Sequence, residues 1–186
     1  MRRAAVMALG IATLATSACK KSGSDASANA ANAANAAANA AFKPLDVGTN
    51  VPKYAAVTLA GDSVHVGGAE SPTVLNVWAT WCTSCQEEMV ALDSLRTQYA
   101  AKGLRVVAVS VDNGDIEKVR RFAQTNHLGM TVAHDPLSAI NASYEVVGVP
   151  TTFIIGRDGK LVWRHTGNVT DVMADARAAI EKSLAP

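Results

Sequence analysis

The chain has 186 residues, room for one domain of roughly 100–150 residues and a further segment at one end. Its 17 Lys and Arg against 16 Asp and Glu leave a net charge of +1, and the cations are scattered along the chain, which excludes a nucleic-acid surface built on a basic patch. Three cysteines are too few for a domain held together by a disulfide framework.

Residues 1–18 open with Arg2 and Arg3, continue with an apolar run over 4–15 and end on the small residues Thr16, Ser17 and Ala18. This is the layout of a secretory signal peptide, and its apolar part is shorter than the ~20 residues that a membrane-spanning helix needs. A cysteine directly after such a site, Cys19, resembles the lipobox of bacterial lipoproteins, which implies a lipid anchor on its thiol. The match departs from the usual pattern at Thr16, where an aliphatic residue is customary; simple cleavage after Ala18 is the alternative. Residues 19–41 are almost entirely Ala, Asn, Ser, Gly and Lys. They have no large apolar side chain to offset the entropy of ordering, and an isolated alanine-rich tract is a marginal helix in water, so a low-complexity linker is expected.

Residues 42–186 are expected to form the folded domain. A hairpin is predicted from strands at 55–59 and 63–66 around Gly61-Asp62. Residues 73–78, TVLNVW, read as a strand buried on both faces. Met89, Leu92, Leu95 and Tyr99 then recur at helical spacing, with Gly103 as the stop. A second buried strand at 104–111 and a second helix at 115–127 make a right-handed parallel unit. Strands at 151–155 and 161–165 flank Asp158-Gly159, a strong hairpin signal. A final helix at 171–184 is expected to start on Thr170 as its N-cap. The fold class is α/β: a central mixed β-sheet flanked by helices, with an N-terminal β-hairpin.

Trp81-Cys82-Thr83-Ser84-Cys85 falls where the buried strand hands over to the long helix. A cysteine at a helix start faces unpaired backbone N–H groups and the positive end of the dipole, both of which favour thiolate. Cys82 is therefore expected to be the exposed attacking thiol, with Cys85 as the shielded resolving thiol one turn on. Zinc sites also use this spacing, but His65, His127, His134 and His165 are the available partners and none forms a paired spacing. A purely structural disulfide is the other bland reading. No metal ligand is assigned.

Residues 77–89, VWATWCTSCQEEM, together with 148–153, GVPTTF, resemble the thioredoxin superfamily and, within it, the TlpA/ResA-like periplasmic reductases, over the whole of 42–186. The resemblance implies a thioredoxin-like fold. It also implies a cis peptide before Pro150 that sets Val149 and Pro150 against the cysteines, with the Val149 backbone open to an extended substrate. Trp81 would join that partner-facing surface; Trp78 and Trp163 read as packing. Glu88 matches an acidic residue thought to tune the thiols and move protons, the alternative being an ordinary solvated glutamate. Two departures stand out: Asn76 replaces the buried aspartate of thioredoxin itself, and proline is absent from Thr83-Ser84 and from Val90.

The resemblance further implies a thiol-disulfide oxidoreductase that reduces disulfides in exported proteins, as in cytochrome c maturation or copper oxidase assembly. Electrons would come from a membrane thiol transporter of the DsbD or CcdA type. The place of action would be the periplasmic face of a bacterial membrane, anchored or soluble, with no cofactor beyond the Cys82–Cys85 disulfide. A thiol peroxidase would want threonine three residues before its reactive cysteine, where Ala79 precedes Cys82. A non-catalytic metal- or copper-binding module is the reading from a different class.

Overall fold

In a computed structural model of the protein, residues 43–185 are described. The expected leader of residues 1–18, the lipidation site Cys19 and the linker of residues 19–41 lie outside the described residues. The centre is β3, Thr73–Trp78, whose six residues are all buried. It pairs in parallel with β4, Arg105–Ser110, and antiparallel with β6, Thr151–Ile155. A strand covered on both faces has no solvated side to fill with polar residues, which is why TVLNVW shows no alternation.

Around this core lie β1, Tyr54–Thr58, β2, Ser63–Val66, β5, Thr131–His134, and β7, Leu161–Thr166, in a seven-stranded mixed sheet of order β2-β1-β5-β4-β3-β6-β7. The helices are α1, Thr83–Tyr99, α2, Ile116–Thr125, a short α3, Ala139–Ser143, and α4, Met173–Leu184. Helix α1 contains neither Gly nor Pro and buries the stripe Cys85, Glu88, Met89, Leu92, Leu95 and Tyr99. A 3-10 turn, Ala100–Lys102, tightens its end, and Gly103 stops it at φ 79°, the left-handed conformation that glycine adopts without penalty.

Strands β2, β3 and β6 match their expected bounds, and β1, β4, β7 and the second helix differ by one or two residues at their ends. The last helix departs in its start: a 3-10 turn, Val169–Val172, precedes α4, and Asn168 caps that turn by accepting from the Thr170 amide. Thr170 is thus not the cap; it donates both its amide and its hydroxyl to Asn168 Oδ1. Strand β5 and helix α3 were not anticipated from the sequence, being four and five residues long, too short to establish a period.

The register carries the chemistry-bearing residues to one end of the sheet. Trp78 pairs with Ser110, and Val77 with Thr151, so Pro150, one residue ahead of Thr151, arrives beside the end of β3 where the cysteine loop begins. On the hairpin side the chain folds back over residue 52. Gly67 has φ +82°, and a Cβ there would stand 2.2 Å from the Pro52 carbonyl oxygen, which also accepts from the Tyr144 hydroxyl at 2.8 Å. Gly67→Ala is expected to destabilise the fold by about 2 kcal/mol, read as a lower denaturant midpoint; an unchanged midpoint would show that this approach relaxes freely.

Candidate active site

Helix α1 begins without a hydroxyl or carboxylate cap. Cys82 occupies the N-cap position in extended conformation, φ −95° and ψ 107°, and its sulfur accepts from the Cys85 amide at 3.2 Å. The sulfur thus fills a role that serine or aspartate usually plays at a helix start, and the same donor and dipole stabilise negative charge on it once the thiol is reduced. Cys82 and Cys85 are joined as a disulfide with Cα atoms 5.2 Å apart. Cys82 is 8 % exposed and Cys85 0 %. The order of access is the expected one, although even Cys82 offers solvent only a small edge.

Three residues after Cys85, on the same face of α1, Glu88 is 0 % exposed. The solvated alternative for Glu88 is therefore wrong: position 88 lies on the apolar stripe, between Cys85 and Leu92. Its carboxylate accepts from Asn76 Nδ2 at 2.7 Å through Oε1 and from the Val169 amide at 2.6 Å through Oε2. Asn76 Nδ2 also donates to Thr152 Oγ1 at 3.0 Å, while Asn76 Oδ1 finds no partner among the described residues. Burial pushes the Glu88 pKa up to about 7; the Val169 and Asn76 donors pull against that rise, and the Asp171 charge adds to it.

Beside the cysteines, the indole of Trp81 is 68 % exposed while Trp78 is fully buried, the division expected for them. The Val149–Pro150 peptide is cis. Trp81 and Val149 share the wall of a cleft of about 350 Å³ with Val111, Ser138, Asn141 and Val147. The structure thus brings Cys82, Cys85, Glu88, Trp81, Val149 and Pro150 to one end of the sheet. A larger hollow, about 860 Å³, is lined by Thr58, Asp62, Arg120 and Thr131 at the start of β5 and contains none of these residues. The four histidines are dispersed: His65 is on β2, His127 follows α2, His134 closes β5 and His165 stacks on Trp163 in β7.

Sequence reasoning missed Asp112. Its buried carboxylate accepts from the Thr80 hydroxyl at 2.5 Å, the Thr80 amide at 2.9 Å and the Ser110 hydroxyl at 2.7 Å, and so ties the loop before Cys82 to the end of β4. Nothing local marks a lone aspartate after an apolar strand as the partner of a threonine 32 residues earlier. Val169 was missed for a different reason, since it contributes only a backbone amide.

The AhpC/TSA family model matches residues 47–164. Thiol-disulfide oxidoreductase ResA of Bacillus anthracis is 32 % identical over 127 residues, spanning 68 % of this chain and 73 % of the relative. The thioredoxin-like protein YneN of Bacillus subtilis is 37 % identical over 126 residues, spanning 66 % and 73 %. A crystal structure from Chlorobium tepidum, described as a thiol:disulfide interchange protein DsbE, has a TM-score of 0.69 at 30 % identity and covers 76 % of this chain and 99 % of its own. Peroxidoxin BcpB of Mycobacterium tuberculosis, with a TM-score of 0.64 at 19 % identity, shares the fold.

Because the folded pKa of Glu88 lies near 7, above the ordinary glutamate value of 4.5, the folded state binds more protons than the unfolded one between those values. Stability is then lost as pH rises through that window. Glu88→Gln removes the titration; one amide cannot accept from both donors, so the variant starts less stable but its pH dependence is flatter. Urea denaturation of the oxidised protein from pH 4.5 to 8 should show the unsubstituted chain losing up to about 3 kcal/mol relative to the variant. Parallel pH profiles would contradict the assignment.

Proposed function

The chain belongs to the AhpC/TSA family as a thiol-disulfide oxidoreductase of the TlpA/ResA-like kind, and on that premise we propose that it acts outside the cytoplasm as a reductase of disulfides in exported proteins. The observation that carries this reading is the asymmetry of the pair: Cys82 sulfur accepts from the Cys85 amide at the start of α1 and keeps an exposed edge, while Cys85 is fully buried. With the pair reduced, the Cys82 thiolate attacks one sulfur of a client disulfide. A new S–S bond forms, the client S–S bond breaks and the second client sulfur leaves as thiolate. Cys85 then loses its proton and attacks Cys82 sulfur. This closes the Cys82–Cys85 disulfide and releases the other client sulfur, so that two electrons have passed to the client.

In that second step Glu88, one turn on from Cys85 along the same face of α1, would take the Cys85 proton. Its pKa of about 7 lets both protonation states exist near neutral pH, where a general base works best. The exposed Trp81 and the backbone at Val149 and Pro150 would hold an extended client segment beside the sulfur, in the manner of strand addition. The pair needs no cofactor. Ala79 in place of the threonine that a peroxidase wants, and the dispersal of the histidines over separate elements, count against the peroxidase and metal-module alternatives.

The cellular setting belongs to the same proposal. Residues 1–18 would direct export, Cys19 would carry the lipid that holds the protein at the periplasmic face of a membrane, and residues 19–41 would space the domain from it; without lipidation the protein would be soluble in the periplasm. A membrane thiol transporter of the DsbD or CcdA type would return electrons to the pair, and the clients would be proteins of cytochrome c maturation or copper oxidase assembly. Equilibration of the Cys82–Cys85 couple against glutathione and dithiothreitol is the test. A potential near that of thioredoxin, about −270 mV, is expected for a reductase, and one near −120 mV would make the protein an oxidant instead.

A further inference from the structure

The loop between β3 and α1 is fixed at one residue. Thr80 uses every polar group it has: its amide and hydroxyl donate to Asp112, and its carbonyl accepts from Gln86 Nε2 in the first turns of α1. Asp112 is itself held from two more strands' ends. The Ser110 hydroxyl donates to its carboxylate and accepts from its amide at 3.2 Å, and its carbonyl meets His134 Nε2 at 2.9 Å. The ends of β3, β4 and β5 are thus tied together beneath the loop that delivers Cys82.

We propose that Asp112 is a positioning residue for thiol exchange, holding the chain through Thr80 on the one path that sets Cys82 sulfur over the Cys85 amide and leaves Trp81 in solvent. The need for such a brace follows from two features of the site. Cys82 must stay extended while Thr83 is already helical, and a chain entering freely could instead continue the helix backwards, which would swing the sulfur off the amide that favours its thiolate. The Trp81 indole is 68 % exposed, and an apolar ring of that size gains by burying itself unless its backbone is held. Two bonds from a buried carboxylate to consecutive donors of one residue supply that hold, since hydrogen bonds to ionised acceptors are the strong ones. No carboxamide can replace it, because an amide has a single oxygen for the three donors that Asp112 accepts.

This inference rests on reading Cys82 as the attacking thiol, and the experiment separates the two. Reduced full-length protein and the variants Asp112→Asn, Thr80→Val and Thr80→Ser are alkylated with iodoacetamide across pH 4 to 10. Rates at Cys82 and Cys85 are read separately by peptide mass, and melting temperatures are recorded alongside. The expected result is a Cys82 rate profile whose midpoint moves up by at least half a pH unit in Thr80→Val and further in Asp112→Asn. Thr80→Ser, which restores the hydroxyl, should return to the original midpoint. Lower melting temperatures with unmoved midpoints would overturn the proposal and leave Asp112 a structural tie only. If Cys82 of the unsubstituted protein reacts no faster than Cys85, the premise itself fails and takes the proposal with it, a pattern distinct from the first.

Discussion

Everything at this site depends on how α1 begins. A helix presents amides at its N-terminus that have no partner within the helix, and here the group placed to receive one of them is a sulfur. That single requirement explains why the reactive pair lies at the junction of a buried strand and a helix, and why its spacing is two residues: the sulfur that caps the helix and the sulfur one turn on are then in bonding reach. It also separates the thiols without any change of residue type. The same element exposes the edge of one and encloses the other, so in the proposed mechanism attack and resolution would fall to different sulfurs through geometry alone.

Under the proposed mechanism Glu88 would make the enclosed half of the pair more than a passive partner. A carboxylate with no solvent contact would be costly if it had no donors, and two are supplied from separate elements, a side-chain amide on β3 and a backbone amide ahead of α4. They offset part of the desolvation and leave the group balanced near neutrality. Asn76, at the position where the resemblance expects the buried aspartate of thioredoxin itself, carries no titratable group, and the buried acid it meets lies on α1. The Asn76 amide orients that acid by donating to it.

The strands and helices that could be read from the sequence were those with a period or an end signal of their own. β3 and β6 are short apolar runs with sharp flanks, α1 has a stripe of four large apolar residues, and Gly103 and Asp158-Gly159 mark turns that the structure contains. β5 and α3 had neither length nor period. Thr170 looked like a cap because it precedes a helical pattern, but Asn168 reaches the first free amide earlier and a 3-10 turn intervenes. The burial of Glu88 did leave a trace: Cys85, Glu88, Leu92, Leu95 and Tyr99 form an unbroken stripe at helical spacing, and a glutamate inside such a stripe is a buried one. Asp112 left none, since its partner loop lies far away in sequence and the contact exists only once β3 and β4 have paired.

The central claim is that Cys82 attacks and Cys85 resolves. Trapping tests it most directly. Cys82→Ser and Cys85→Ser variants are incubated with a peptide that carries an activated disulfide, and the products are separated without reductant. The account predicts that the Cys85→Ser variant accumulates a stable mixed disulfide through Cys82, while the Cys82→Ser variant, left with a sealed thiol, accumulates little. Equal trapping by both variants, or trapping through Cys85 alone, would contradict it.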